Sequence, residues 1–247
     1  MNVRYRTQGL VLKIEDRGEA DQNFIIYTKD FGKLKILGKA IRKIKSKLRA
    51  GINLFYLSEI EFIQGKTYKT LTDAILIKKF RNISNSLEKL KISSQIAEAV
   101  DNLIAGQEQD EGIWNLLIET FDKLEIEDSF KVENSKLEII YYYFIWNLLA
   151  ILGYQIDLYY CVKCQERLVS GIMNFSSESN GIICLKCSDD TIKDKILISS
   201  ETIKIVRFFL DRNWEILLKL KFEKKQKKEL EKISQSYLDF ILREMAL

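Results

Sequence analysis

Two C-x-x-C pairs, Cys161/Cys164 and Cys184/Cys187, stand nineteen residues apart and hold every cysteine of the 247-residue chain. Each such turn can present two thiolates to one edge of a tetrahedron, and two turns complete a four-sulfur shell of the zinc-ribbon type. A closed shell leaves no position for water or substrate, so a metal held here is structural. Two disulfides are the chief rival, disfavoured in a reducing compartment, and a thioredoxin-like redox pair belongs beside a βαβ pattern that is lacking here. Histidine is absent from the sequence, which removes the usual general base and excludes Ser-His-Asp and Cys-His mechanisms. A carboxylate cluster, Glu15, Asp16, Glu19 and Asp21, could hold Mg2+ for phosphoryl chemistry. A polar turn between two strands, or partners for nearby lysines, explains it with fewer assumptions.

The second chemical feature is charge. The net charge of +4 hides an uneven distribution: residues 1–80 carry 17 Lys and Arg against 8 Asp and Glu, while the remainder is acidic. Between Asp30 and Glu59 stand Lys33, Lys35, Lys39, Arg42, Lys43, Lys45, Lys47 and Arg49 without one acid. Such a stretch makes a local positive field that a polyanion enters by releasing counterions, and nucleic acid is the first candidate. In KLKFEKKQKKELEK, near the C-terminus, Glu223, Glu229 and Glu231 are interspersed among the lysines, and a solvated helix face is the simpler reading.

The elements that must position these residues follow from period. QGLVLKI, NFIIYTK, GKLKILGKA, LFYLSEIEFIQ and KTYKTLTDAILIKKF alternate apolar with polar residues and are punctuated by Gly18, Gly32 and Gly65. Five short strands in about eighty residues predict a small barrel, the oligonucleotide/oligosaccharide-binding fold, whose open face grips phosphates while aromatics stack on bases. Tyr5, Tyr27, Phe31, Phe55 and Tyr68 are the aromatics in or beside these strands. After Phe80 the period becomes helical. SNSLEKLKISSQIAEAVDNLIAG places Leu87, Leu90, Ile96, Val100, Leu103 and Ile104 on one face, and EGIWNLLIETFDKL repeats the pattern through Phe121. NSKLEIIYYYFIWNLLAILG is apolar nearly all round, as in the central helix of a bundle. The stretch from Ile139 to Ile156 is uncharged but interrupted by Asn147, Gly153 and Gln155, so a buried helix is expected rather than a membrane span. SSETIKIVRFFLDRNWEILLKL and KKELEKISQSYLDFILREM add two amphipathic helices, the first with a start signal at Ser199/Thr202.

These readings predict an α+β multidomain protein. An N-terminal five-stranded barrel at residues 1–80 precedes an α-helical domain at 81–247 that carries a four-cysteine zinc-ribbon-like insertion at 158–190. An apolar fraction of 47% and a charged fraction of 30% are those of an ordinary soluble protein. No secretory signal pattern opens the sequence, and a cytosolic location is expected.

YRTQGLVLKIEDRGEADQNFIIYTKDFGKLKILGKAIRKIKSKLRAG, together with LLAILGYQIDLYYCVKC and FSSESNGIICLKC, resembles the bacterial recombinational-repair RecO family. The resemblance runs in order over essentially the whole chain. It implies a non-enzymatic, cytoplasmic and nucleoid-associated mediator that binds single- and double-stranded DNA. It further implies annealing of strands coated with single-stranded-DNA-binding protein, and loading of the recombinase RecA together with RecR. By position, the family's GEAD turn falls on Gly18-Glu19-Ala20-Asp21. Its basic hairpin falls on Lys35, Lys39, Arg42, Lys43, Lys45, Lys47 and Arg49, and its Zn2+ ligands on Cys161, Cys164, Cys184 and Cys187. The acidic tail of the single-strand-binding partner would dock on the helical domain. Departures are Ala40 in place of a usual glycine, Asn180 in place of the first of two glycines before Cys184, and absent prolines. The rival readings are a zinc-ribbon scaffold without DNA annealing and a carboxylate-dependent nuclease.

Overall fold

The computed structural model describes residues 3–126, 135–219 and 222–246. The first residue of the expected bundle helix, Asn134, and Leu220 and Lys221 of the lysine-rich segment lie outside them. The chain divides into two compact units, Met1–Leu137 and Glu138–Leu247. The boundary expected at residues 80 and 81 is where strand gives way to helix, and the first helices after it are counted with the barrel.

In the first unit, β1 (Arg4–Arg17), β2 (Asp21–Thr28), β3 (Gly32–Gly38), β4 (Tyr56–Gln64) and β5 (Lys69–Lys79) close a barrel in the order β1-β2-β3-β5-β4. One strand must serve two neighbours for the sheet to close. The fourteen-residue β1 does so, pairing through Arg4–Leu10 with β4 and through Gly9–Arg17 with β2, with an irregularity between Val11 and Lys13 within its pairing to β2. β3 meets β5 in parallel at Ile36 and Leu37. Alternate residues fill the interior: Val11, Phe24, Ile26, Leu34, Ile36, Ile60, Phe62 and Leu71 are buried together.

β3 and β4 do not pair, so the basic stretch is a crossover loop rather than a hairpin. Its two ends are pinned by Ile41 and Ile52, both buried in the barrel core, and Leu48 packs against the same cluster. Gly51 approaches β5 so closely that a Cβ there would lie 1.8 Å from the Ala74 carbonyl oxygen, so only glycine fits.

α1 (Arg81–Ser84), α2 (Leu87–Leu103) and α3 (Glu111–Ile126) complete this unit. Ser86 caps α2 by accepting a hydrogen bond from the Lys89 amide, and the Glu125 carboxylate accepts from the amides of Arg81, Asn82 and Ile83. Ile96, Val100 and Leu103 are buried as the period required, but Leu87, the first residue of α2, is 80% exposed. Lys33 belongs to this packing, since its ammonium group is bonded to the Asp101 carbonyl and carboxylate in the last turn of α2, where a cation complements the helix dipole.

In the second unit, α4 (Ser135–Ile151) is the apolar helix, and Tyr143, Phe144, Ile145, Trp146 and Leu148 are buried. Its one interior amide is satisfied: Asn147 donates to the carbonyls of Tyr143 and Phe209 and accepts from Arg212. Among the described residues no helix is long and apolar enough to cross a membrane. Beyond it come β6 (Ile172–Ser176), β7 (Gly181–Ile183) and β8 (Ile196–Ser199), a three-stranded sheet of order β7-β6-β8. α5 (Ser200–Leu210), α6 (Trp214–Lys219) and α7 (Lys224–Met245) follow. The single helix expected over residues 199–220 is broken after Leu210, where Arg212 takes φ 52°. Ser199 caps α5 by accepting from the Thr202 amide.

Candidate nucleic-acid interface and metal centre

The GEAD turn and the crossover loop form one structure. Gly18 takes φ 62° at the turn between β1 and β2. The Asp21 carboxylate accepts from the Ala40 amide at 2.7 Å, and the Ala20 carbonyl accepts from the Arg42 amide at 3.0 Å. Ala40 itself has φ 51°, a left-handed conformation that glycine adopts with the least strain. The turn's carboxylates are therefore partners of the loop. Glu15 lies 2.9 Å from Lys35 and 3.2 Å from Lys13, and Asp16 lies 3.3 Å from Arg42 while accepting from Gln22 at 2.9 Å. Hydrogen bonds from Lys35 and Lys13 hold the Glu15 carboxyl below its usual range. Among the described residues the four acids do not gather into a metal-sized cluster.

Of the seven cations, Lys35 lies on β3 and the other six, Lys39, Arg42, Lys43, Lys45, Lys47 and Arg49, on the crossover loop, and all are exposed. Arg42 and Lys35 are paired as above, whereas Lys39, Lys43, Lys45, Lys47 and Arg49 carry no ion pair among the described residues. Arg42 and Arg49 line a polar pocket of about 380 Å³ with Gln22 and Asn53, a combination of guanidinium and amide groups suited to a phosphate and a base edge. Ile44, at the loop's tip, is 93% exposed.

The aromatics separate by burial. Tyr27 and Phe55 are core residues, and the Tyr27 hydroxyl is pushed far above its usual range by burial. Tyr5 and Phe31 pack with Phe62 at ring distances between 5.4 and 5.7 Å and are half-buried. Tyr68 is open, with the Arg17 guanidinium 4.3 Å from its ring centre. A stacked Arg–Tyr pair is a platform for a base. Its arginine was not legible in sequence, since Arg17 and Tyr68 are brought together only by barrel closure.

The metal centre is built from two turns. Cys161 and Cys164 lie after α4, where the Gln165 amide donates to the Cys161 carbonyl, and Cys184 and Cys187 flank a short 3-10 turn after β7. The four sulfurs lie within 4.8 Å of one another, with Cys164 and Cys184 Sγ at 3.9 Å. A tetrahedral shell with metal–sulfur bonds of about 2.3 Å has sulfurs about 3.8 Å apart, so the donor set fits one metal ion, and all four cysteines are free thiols. Burial opposes ionisation of the Cys161 thiol, yet the surrounding amides of Cys164, Cys184 and Lys163 outweigh it and bring the group to about 6. Cys187 is pushed up to about 12 by its bonds to Cys184 and Cys164. One thiolate in the cage thus disfavours the next, a repulsion that a bound cation reverses. The module has little core of its own: Cys161, Ile183 and Ile192 are buried, flanked by half-buried Val162 and Leu168. Asn180, at φ 54°, shapes the turn before β7, a conformation asparagine tolerates better than most residues.

A closed five-stranded barrel with an acid-free basic loop, followed by helices and a four-thiolate cage that could hold a metal ion, points to the class of nucleic-acid-binding proteins. The domain family described as recombination protein O, N terminal, matches residues 1–80, and the one described as recombination protein O, C terminal, matches residues 84–246. The chain belongs to the recombination protein O family and so stands among proteins of DNA repair and recombination. It is 29% identical over 238 residues to the DNA repair protein RecO of Dehalococcoides mccartyi strain CBDB1, covering 96% of this chain and 90% of that protein. The DNA repair protein RecO of Thermoanaerobacter sp. strain X514 is 26% identical over 236 residues, 94% of this chain and 90% of that one. That of Acetivibrio thermocellus is 29% identical over 233 residues, with 94% and 90% covered.

Proposed function

We propose that the protein binds single- and double-stranded DNA through Lys35, Lys39, Arg42, Lys43, Lys45, Lys47 and Arg49, and anneals complementary strands coated with single-stranded-DNA-binding protein. With RecR it then promotes loading of RecA. The observation that carries the reading is the crossover loop, whose ends are anchored in the barrel by Ile41 and Ile52 while five of its cations remain unpaired among the described residues. Cations held on a rigid base neutralise phosphates without an ordering cost. Reducing the repulsion between two strands lets complementary bases meet, and the protein makes and breaks no bond. Zn2+ held by Cys161, Cys164, Cys184 and Cys187 organises the module and takes no part in chemistry. The acidic tail of the single-strand-binding partner docks on the helical domain.

The test follows duplex formation by fluorescence between two complementary oligonucleotides coated with single-strand-binding protein. The wild type is compared with a variant carrying Lys39→Ala, Arg42→Ala, Lys43→Ala and Lys45→Ala. Rapid annealing that falls in the variant and weakens with salt is the expected result. A folded, metal-loaded wild type that does not anneal refutes the proposal and leaves the scaffold reading.

A further inference from the structure

A second cationic surface lies wholly within the second unit. α7 opens with Lys224, Lys225, Gln226, Lys227 and Lys228, and its first turn contains no acid. Cations at a helix N-terminus oppose the helix dipole and destabilise the helix. The start is held instead by a capping box between Glu223 and Gln226. A local rule broken in this way is expected where a site needs the charge, and since the Glu223 carboxylate already caps the helix end, the positive field here comes from the lysine side chains themselves.

Lys225, Lys228 and Lys232 are spaced three and four residues apart, which aligns them on one face at intervals of about 5–6 Å. With Lys195 they rim a groove of about 440 Å³ floored by Ile196 and Leu197 of β8, and Leu197 is 63% exposed. The one carboxylate in the groove is committed elsewhere. Glu229 Oε2 accepts from the Ser199 amide, the Ser199 hydroxyl and the Thr202 hydroxyl at the start of α5, at 2.6 to 2.9 Å. Its other oxygen is 3.9 Å from Lys225. Lys195 donates to the Asp189 carbonyl and lies 3.8 Å from Asp190, whereas Lys228 and Lys232 have no ion pair among the described residues.

We infer that this groove is a second phosphate site that takes the sugar-phosphate backbone of a nucleic-acid strand, independently of the barrel loop. Two observations favour a strand over an acidic peptide. The rim consists of lysines alone, point charges that suit a run of phosphates, with no arginine fork to orient a carboxylate. A peptide adding to the free edge of β8 would find only four residues, and the Ser199 amide is already taken by Glu229. A strand site here rests on the nucleic-acid reading above, but none of its residues belongs to the barrel, so the two can fail separately.

The experiment uses the full-length, metal-loaded protein and two non-complementary oligothymidine and oligocytidine strands carrying a donor and an acceptor dye. Wild type should bring the dyes together at low salt. The variant Lys195→Ala, Lys225→Ala, Lys228→Ala, Lys232→Ala should bind one strand with unchanged affinity and lose the energy transfer at least about tenfold, with a salt slope lower by about three for the missing strand. Only Lys225 of the four lies in the first turn of α7, and the ion pairs lost at Lys195 and Lys225 are long ones of 3.8 and 3.9 Å, so a melting temperature near that of the wild type verifies folding. In a protein already altered at Lys39, Arg42, Lys43 and Lys45, the remaining strand binding should vanish with the α7 substitutions. Undiminished energy transfer in the α7 variant overturns the inference. So does a groove that binds a poly-glutamate peptide in preference to the oligonucleotide. Loss of a strand only through the α7 substitutions, with the barrel variant silent, upholds the groove and refutes the barrel.

Discussion

Replacing Glu15 by Gln and Asp16 by Asn releases two of the seven proposed DNA-binding cations, Lys35 and Arg42, from partners they hold in the free protein, along with Lys13, which lies outside that set. Glu15 lies 2.9 Å from Lys35, and Asp16 lies 3.3 Å from Arg42. In the wild type a phosphate arriving at either cation displaces a tethered carboxylate rather than a mobile counterion, so less salt is released on binding. Each cation freed to meet a phosphate adds about 0.7 to the slope of log affinity against log salt for a single strand, and two add about 1.4. Over a rise from about 50 to 200 mM salt the variant should therefore lose roughly sevenfold more affinity than the wild type, while binding more tightly at the low-salt end. Exposed ion pairs contribute little to stability. The Asp16→Asn substitution keeps a side-chain oxygen for the bond that Gln22 donates at 2.9 Å, so the melting temperature should stay near that of the wild type. Fluorescence anisotropy with a labelled oligothymidine across a salt series reads both quantities. An unchanged slope, or weaker binding at every salt concentration, would refute the idea that these carboxylates occupy cations of the proposed DNA-binding set.

Metal removal should unfold the cysteine module, because its core is three buried residues and structural zinc supplies about 10–16 kcal/mol in small modules. Chelation should release one metal per chain and raise hydrogen exchange in residues 158–192 while the barrel amides stay protected. Glu229→Gln should cost about 1–3 kcal/mol, since hydrogen bonds to a charged group are the stronger kind, and chemical denaturation measures it. Glu229 is held below its usual 4.5, since its bonds to Thr202 and Ser199 outweigh the burial that opposes its charge. That contribution is present above pH 4.5 and lost as pH falls through the lower folded value, a slope the variant should lack. Tyr237, its hydroxyl 2.8 Å from the Tyr154 carbonyl and 2.6 Å from Asn180 Oδ1, is pushed up to about 12 by burial. The unfolded chain ionises first, so stability should fall between pH 10 and 12, and Tyr237→Phe should remove that part of the fall in alkaline melts.

The sequence by itself determined those features that depend on near neighbours along the chain. Alternation set the five barrel strands, and β4 and β5 form within the stretches LFYLSEIEFIQ and KTYKTLTDAILIKKF. Thiolate spacing paired the cysteines into a metal-sized cage, because a C-x-x-C turn fixes two ligands locally and like ligands have one economical way to combine. An acid-free run of lysines was visible as composition alone. Tertiary structure decided whatever depends on residues far apart in sequence. It turned the expected basic hairpin into a crossover loop, because β3 pairs with β5 and not with β4. It took Lys33 out of the open basic surface by joining it to Asp101, sent Tyr27 and Phe55 inward, and left Tyr68 open beneath Arg17. The short strands around the cysteines, of three to five residues, carry too few residues for a period to show and exist through pairing. The KKQKK stretch reads in sequence as a solvated face. It becomes a rimmed groove only when β8 is laid beside α7 and the Glu229 carboxylate turns away to Ser199 and Thr202. Charge is written in the sequence, but whether a charge is free depends on which partner the fold brings to it.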